Sequence, residues 1–282
     1  MPHGVPIVRT VEELRRRMQP WRSQGLRTGL VPTMGALHDG HVELVAQGLR
    51  RADRIVVTIF VNPTQFGPNE DFALYPRDER ADTGKLASAG AHLVFAPEPR
   101  EIYSESFCTT VSVAGPAKAG LEDSFRPHFF DGVTTIVAKL FVQASCDYAM
   151  FGEKDYQQLK VVTRMALDLD VATKIIAVPT VREPDGLAMS SRNAYLSAEH
   201  RALAPLLHRS LSEAAEAIRA GTPPAKAAAE AEGKLADAGF RVDYVAARNA
   251  ETLAELREPG GPVRLLAAAW LGRTRLIDNV GV

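Results

Sequence analysis

Four stretches of this 282-residue chain carry side chains suited to binding and polarising a small molecule. The first is PTMGALHDGH, residues 32–41, where His38 and His41 stand three apart among a proline and two glycines. At a helix start, residues i and i+3 share one side. The unbonded N–H groups there, with the helix dipole, attract anions. Two imidazoles add donors aimed at the same place, a way to steady charge growing on a phosphoryl group. Gly35 permits a tight turn and a close backbone approach. Two other readings exist for this stretch: turn glycines with capping histidines, or a metal pair. The second lacks the glutamate between the histidines that HExxH would supply.

The second stretch is IFVNPTQFG, residues 59–67. Asn62 and Gln65 offer amides that donate and accept, which suits a neutral or carboxylate-bearing molecule better than a phosphate; a proline turn with solvated amides is the alternative. The third, FGEKDYQQLK (151–160), opens a helix after Gly152. Lys154 can reach a phosphate as a mobile point charge. Asp155 can cap the helix or receive a ribose hydroxyl, and Gln158 lies one turn beyond Lys154 on the same face. A capped helix with a solvated face is the plainer reading. The fourth, MSSRN (189–193), places Ser190, Ser191 and Arg192 together as a phosphate clamp or as a polar turn. A cleft lined by His38, His41, Lys154, Ser190, Ser191 and Arg192 would suit a nucleoside triphosphate. The chain has no GxxxxGK[ST] and no GxGxxG in the right context, which disfavours P-loop and nicotinamide readings.

Such residues need elements to position them. An apolar run at 29–31 is stopped by Pro32, with Pro32 and Thr33 expected to end the first strand, and RIVVTIFV (54–61) reads as a strand buried on both faces. Between them Val42, Leu44, Val45 and Leu49 recur at helical spacing. Further alternation follows: helix 78–89, strand 91–95, helix 133–144, strand 148–151, helix 156–169 and strand 174–178. This predicts an α/β fold, a Rossmann-like parallel sheet with helices on both faces. The crevice beyond the carboxyl ends of its strands is then the expected ligand site. After residue 178 a polar, turn-rich stretch leads to Ser197, a predicted N-cap. An alanine-rich helical region to 238, broken near 221–224, and strands at 241–247, 263–271 and 274–277 predict a smaller α+β C-terminal domain. The domains are expected at 1–180 and 181–282.

Composition sets outer limits. Apolar residues make up 46% and charged residues 24%, as in ordinary globular proteins, and the net charge of -1 gives no global attraction to nucleic acid or anionic membrane. The two cysteines, Cys108 and Cys146, form no zinc pattern. Cys146 reads as core and Cys108 as lying near a strand. Neither a signal peptide nor a membrane span is apparent, so a cytoplasmic location is expected.

The four motifs in this order and spacing, with VPTVREPDGLAMSSRN (178–193) and RLLAAAWLGRTRLIDN (264–279), closely resemble the pantothenate synthetase (pantoate–β-alanine ligase) family. The HxGH core is shared with a wider nucleotidyltransferase superfamily. The resemblance covers nearly the whole chain. It implies condensation of (R)-pantoate with β-alanine through pantoyl adenylate, with ATP as co-substrate, Mg²⁺ required, AMP and diphosphate released, and a homodimer. It implies that His38, His41, Lys154 and Arg192 are catalytic, His41 being the residue usually described as proton donor. The ATP site would comprise Met34, Gly35, Ala36, Leu37, His38, Asp39, Gly40 and His41, then Gly152, Glu153, Lys154, Asp155, Val181, Met189, Ser190, Ser191 and Arg192. Gln65 and Gln158 would grip pantoate, with Met34 against its methyl groups and Asn62 supporting the pocket. No protein residue is assigned to metal; Asp82 and Asp155 are the carboxylates considered for Mg²⁺. Residues 62–75 are expected to form a lid ending at Tyr75, excluding water from the adenylate. The chain departs from the family at 126–133, reading RPHFFDGV where RPGHFxGV is usual. Either the local turn is shifted by one residue or a polar contact is absent, and His128 receives no site role. A nucleotidyltransferase stopping at the adenylate would have no use for the two glutamines, and a nucleotide sensor would not need the full set of cations.

Overall fold

A computed structural model describes residues 4–67, 70–256 and 261–282. Pro68 and Asn69 of the expected lid, and the first three residues, lie outside these described residues. The chain forms two compact units. The first comprises Met1–Val113, Arg126–Glu153 and Val161–Pro179; the second comprises Ala114–Phe125, Lys154–Lys160 and Thr180–Val282.

The first unit is built on six strands: β1 (Ile7–Val8), β2 (Thr28–Thr33), β3 (Arg54–Ile59), β4 (Leu93–Phe95), β5 (Tyr148–Gly152) and β6 (Lys174–Val178). Every pairing is parallel, and the order across the sheet is β1-β4-β3-β2-β5-β6. Along the chain, helices α1 (Val11–Ser23), α2 (Asp39–Leu49), α3 (Glu79–Ala89), α4 (Pro99–Ile102), α5 (Glu122–Phe125), α6 (Phe129–Ala144) and α7 (Tyr156–Asp168) fall between these strands, α5 and the first turn of α7 belonging to the second unit. Strand order reverses at β2, which pairs with β3 on one side and β5 on the other. That is the topological switch point, where ligands of open parallel sheets bind. Leu30, Val31, Ile55, Val56, Val57 and Val94 are fully buried in the central strands, which explains their unbroken apolar runs.

β2 ends at Thr33, as expected, with Pro32 inside the strand. The strand runs to Thr33 because alternate residues of a parallel strand bond a given neighbour. The Thr33 carbonyl accepts from the Phe60 N–H at 3.1 Å, so the nitrogen of Pro32 points toward β5. Pairing with β5 covers only Gly29 and Leu30, and no ladder bond is lost at the proline. The N-terminal helix α1, which the strand–helix alternation did not reveal, begins with a capping box between Thr10 and Glu13.

The second unit has three antiparallel strands, β7 (Arg241–Asn249), β8 (Val263–Leu271) and β9 (Thr274–Gly281), in that order. Against them lie α8 (Ala198–Leu203), α9 (Leu206–Arg219) and α10 (Pro224–Asp237). Leu207, Leu211, Ala215, Ala231, Leu235, Leu265 and Leu276 form its core. Ser197 caps α8 by accepting from the His200 N–H. Cys146 is buried, and burial pushes its thiol up to about 12, so it behaves as an inert core residue. Cys108 is exposed, and no strand forms at 107–114.

Candidate active site

The loop between β2 and α2 is shaped by backbone strain and one buried acid. Gly35 and Ala36 both have positive φ, 82° and 51°. A side chain at Gly35 would also meet Asp82 Oδ2 at 3.0 Å and Ile59 at 3.2 Å. Asp82, on α3 and 3% exposed, accepts the Ala36 N–H at 2.9 Å and the Leu37 N–H at 2.8 Å. Lys85, one turn further, donates to the Leu37 carbonyl. The acid considered for Mg²⁺ is therefore a brace for this loop, with both oxygens engaged by backbone. The same bonds occupy the N–H groups of Ala36 and Leu37 and the carbonyl of Leu37, whose side chain lies in the core. Neither residue can offer those groups to a nucleotide. Exchanging Asp82 for asparagine turns one acceptor into a donor facing an N–H. Denaturant titration should show unfolding free energy lower by about 2 kcal/mol, the range for a charge-assisted hydrogen bond. Unchanged stability would refute the brace.

The histidine pair is both a cap and a candidate site. His38 is the N-cap of α2: its Nδ1 accepts the Gly40 N–H at 3.2 Å. The Nδ1 of His41 accepts the His38 N–H at 3.2 Å, closing a capping box. The rings lie 4.2 Å apart between centroids. A neutral imidazole whose Nδ1 accepts carries its proton on Nε2. Capping thus sets the tautomer, with the proton of each ring on Nε2. The two readings of HxxH were not exclusive.

At the end of β3, Asn62 and Gln65 play different parts. Asn62 is 1% exposed. Its amide donates to the Gly132 carbonyl at 3.1 Å and accepts from the hydroxyls of Thr64 at 2.9 Å and Tyr103 at 2.8 Å. Burial raises the Tyr103 phenol above its ordinary pKa, keeping it a donor. Asn62 is saturated by protein and shapes the Pro63–Gln65 turn. Gln65 is 8% exposed, and its side-chain amide has no partner among the described residues. An amide on a largely buried residue with no protein partner is available to hold a ligand.

Two residues hold that turn. Gly132 on α6 sits against it: a Cβ there would lie 2.7 Å from the Thr64 carbonyl carbon and 3.0 Å from the Gln65 nitrogen. Arg126 donates to the Gln65 carbonyl at 3.0 Å, pairs bidentately with Glu70, and lies over the Phe129 ring at 3.8 Å. In the remainder of the expected lid, Phe66 packs on Phe72 and on buried Tyr75, with centroids 5.3 and 5.9 Å apart. His128 begins α6 with its ring 3.3 Å from where a Cβ on Gly67 would stand. The departure at 126–133 thus puts an imidazole against the residue after Phe66, and Phe129 under the Arg126 guanidinium.

Gly152 ends β5, the strand beside β2, and Glu153 follows it, so their segment and the histidine loop leave adjacent strands at one sheet edge. The remaining candidates belong to the second unit. Lys154 and Asp155 lie in the short 3-10 turn Glu153–Asp155, and the Lys154 ammonium has no carboxylate partner among the described residues. Gln157 and Gln158 differ sharply. Gln157 is buried, donates to the Pro116 carbonyl and Asp123, and accepts the Glu122 N–H. Gln158 is half-buried with no partner among the described residues. Val181 and Met189 face each other across a tight hairpin, the Met189 N–H donating to the Val181 carbonyl at 3.0 Å. Ser190 caps the following turn, Ser191–Tyr195, accepting the Arg192 N–H at 3.3 Å.

A family model described as pantoate-beta-alanine ligase matches residues 6–281. The chain belongs to the pantoate–β-alanine ligase family. It is 58% identical to the pantothenate synthetase of Nitrobacter hamburgensis over 283 residues, all of both chains. It is 55% identical to that of Rhodopseudomonas palustris strain CGA009, over 98% of each. Among solved structures it is similar to pantothenate synthetase from Thermus thermophilus, with TM-score 0.91, 45% identity, and 98% and 99% of the two chains covered. It is also similar to the Francisella tularensis ligase solved with Beta-gamma ATP and β-alanine, with TM-score 0.82, 30% identity, and 99% and 98% covered. As a pantoate–β-alanine ligase, the protein condenses pantoate and β-alanine to pantothenate in an ATP-dependent reaction. No helix of the described residues is long and apolar enough to cross a membrane.

Sequence reasoning missed three supports of the candidate site: Asp82 as a brace, Gly132 and Arg126. Asp82 had one usable signal, an acid on the helix that follows the second motif. Gly132 lay within a quoted motif, but only a backbone approach gives it meaning.

Proposed function

We propose that condensation proceeds in two steps through an acyl adenylate. A pantoate carboxylate oxygen attacks the α-phosphorus of ATP, and diphosphate leaves. The amine of β-alanine then attacks the acyl carbon, loses a proton and expels AMP. The single observation that carries this reading is the Gln65 amide, without a partner among the described residues, in the turn that follows β3, the strand beside β2, whose own following loop carries His38 and His41. An amide suits the hydroxyl and carboxylate of pantoate; imidazole donors suit phosphoryl oxygens.

In this reading Gln65 and Gln158 hold pantoate, and Asn62 shapes the turn rather than touching substrate. Met34 lies by pantoate and nucleotide, while Gly35, Asp39 and Gly40 form the loop around the phosphates with His38 and His41. Gly152, Glu153, Asp155, Val181 and Met189 attend adenosine, and Lys154, Ser190, Ser191 and Arg192 the triphosphate. No side chain acts as nucleophile, so acceleration comes from positioning and charge stabilisation. ATP would carry Mg²⁺, which neutralises phosphate charge when bound and commonly keeps several waters beside one carboxylate. Asp155, half-buried and without a partner among the described residues, fits that single role, whereas the engaged Asp82 does not. We read the ligase as a cytoplasmic homodimer.

The test separates the two steps. With ATP and pantoate alone, labelled diphosphate should exchange into ATP; AMP should accumulate in stoichiometry with pantothenate once β-alanine is added. AMP formation indifferent to pantoate would overturn the reading.

A further inference from the structure

The C-terminal motif RLLAAAWLGRTRLIDN has no role in the reaction as described so far. Its last two residues, Asp278 and Asn279 on β9, are each 3% exposed. Buried polar side chains at the end of a strand need partners, and those of this pair are informative. Adjacent strand residues point to opposite faces of a sheet. Asp278 pairs bidentately with Arg182, at 2.6 and 2.9 Å, and Arg182 also donates to the Gly186 carbonyl. Arg182 is bridged to Ala188 within the hairpin that aligns Val181 with Met189. Asn279, on the other face, donates from Nδ2 to the Lys154 carbonyl at 2.9 Å. Its Oδ1 accepts from Arg264 at 2.7 Å, and that guanidinium lies 4.0 Å over the ring of Tyr156, two residues past Lys154. Strand β9 also touches the turn Ser191–Tyr195.

We propose that Asp278 and Asn279 are positioning residues for adenylate formation: their shared backbone sets the Lys154 turn and the 181–189 hairpin at a fixed separation. The inference rests on the reading of Lys154 as the cation on the reacting phosphates. A lysine side chain is long and mobile, so its ammonium is placed only as well as its backbone is held. Asn279 holds that backbone through the Lys154 carbonyl, and Arg264 fixes which way the Asn279 amide faces. Errors of about 1 Å in such a site cost roughly 10²-fold in rate.

The discriminating variant is Asn279→Asp. It keeps the Arg264 pairing and side-chain shape but replaces the donor to Lys154 with an acceptor. Pantoate-dependent diphosphate exchange should lose roughly 10²-fold in kcat, with little change in the KM for pantoate. The decisive readout is a double-mutant cycle with Lys154→Ala. If Asn279 acts through Lys154, adding Asn279→Asp to Lys154→Ala lowers exchange no further. Losses that multiply, or a single variant as active as the parent, would overturn the proposal. If Asn279→Asp does not fold, the same cycle with Asn279→Ala decides it. Should Lys154→Ala alone leave exchange intact, the reading of Lys154 fails first. Asp278→Asn, which weakens the hold on Arg182, should raise the KM for ATP; an unaltered KM would remove Asp278 from the proposal.

Discussion

Lys154→Ala should lower pantoate-dependent exchange of diphosphate into ATP by about 10²–10³-fold, the usual loss when one preorganised charge or donor is removed from a reacting centre. The loss belongs mainly in kcat, because charge accumulates on the phosphoryl oxygens and leaving group as the bond to diphosphate breaks. Stability should hardly change. The ammonium is half-buried and pairs with no carboxylate among the described residues, so its removal orphans no buried charge. Lys154→Arg should restore only part of the activity, since a planar guanidinium cannot stand in for a compact ammonium. Exchange kinetics alongside thermal unfolding check this. Intact exchange with intact folding would remove Lys154 from the chemistry, and the phosphate assignment with it.

The second large effect is expected from a residue that touches no substrate. Gly132→Ala puts a methyl group 2.7 Å from the Thr64 carbonyl carbon and 3.0 Å from the Gln65 nitrogen. Both neighbours are backbone, and Asn62 ties their turn to the Gly132 carbonyl, so no flexible side chain can yield. Either α6 or the turn must move. Overpacking of this kind costs about 1–3 kcal/mol, and the displaced turn carries Gln65. The KM for pantoate should rise by about 10-fold or more, the effect of one misplaced polar contact of about 1.4 kcal/mol. Gly233→Ala on α10, where a Cβ meets nothing within 4 Å, is the control. Denaturant unfolding and pantoate saturation curves measure both consequences. A Gly132→Ala enzyme with normal stability and normal pantoate saturation would show that the close approach constrains nothing.

Motif chemistry was legible in the sequence because it depends on residue type and short spacing. Two histidines three apart at a helix start must share a side, and that holds in any fold. The strands were legible too: runs such as IVVTI can be accommodated only where both sheet faces are covered. The strand end at Pro32 and Thr33 was legible, but that the proline sits inside the strand was not, since its effect depends on whether the missing N–H faces a partner. Cys108 misled for a related reason: nothing pairs with 107–114 among the described residues to make a strand of it.

What the sequence by itself determined is the family and the parallel α/β sheet, and it named the candidate side chains for a nucleotide and a small acid. Only the tertiary structure decided which of two neighbouring glutamines is engaged in internal bonds, Gln157 rather than Gln158. It alone made Asp82 a brace, Asn62 a saturated support and Gly132 a point of contact. The physical reason is one of range. Helical and strand periodicity act over a few residues, whereas the hydrogen bonds that tie Gln157, Asp82, Asn62 and Asn279 to distant chain join residues 34 to 125 positions apart.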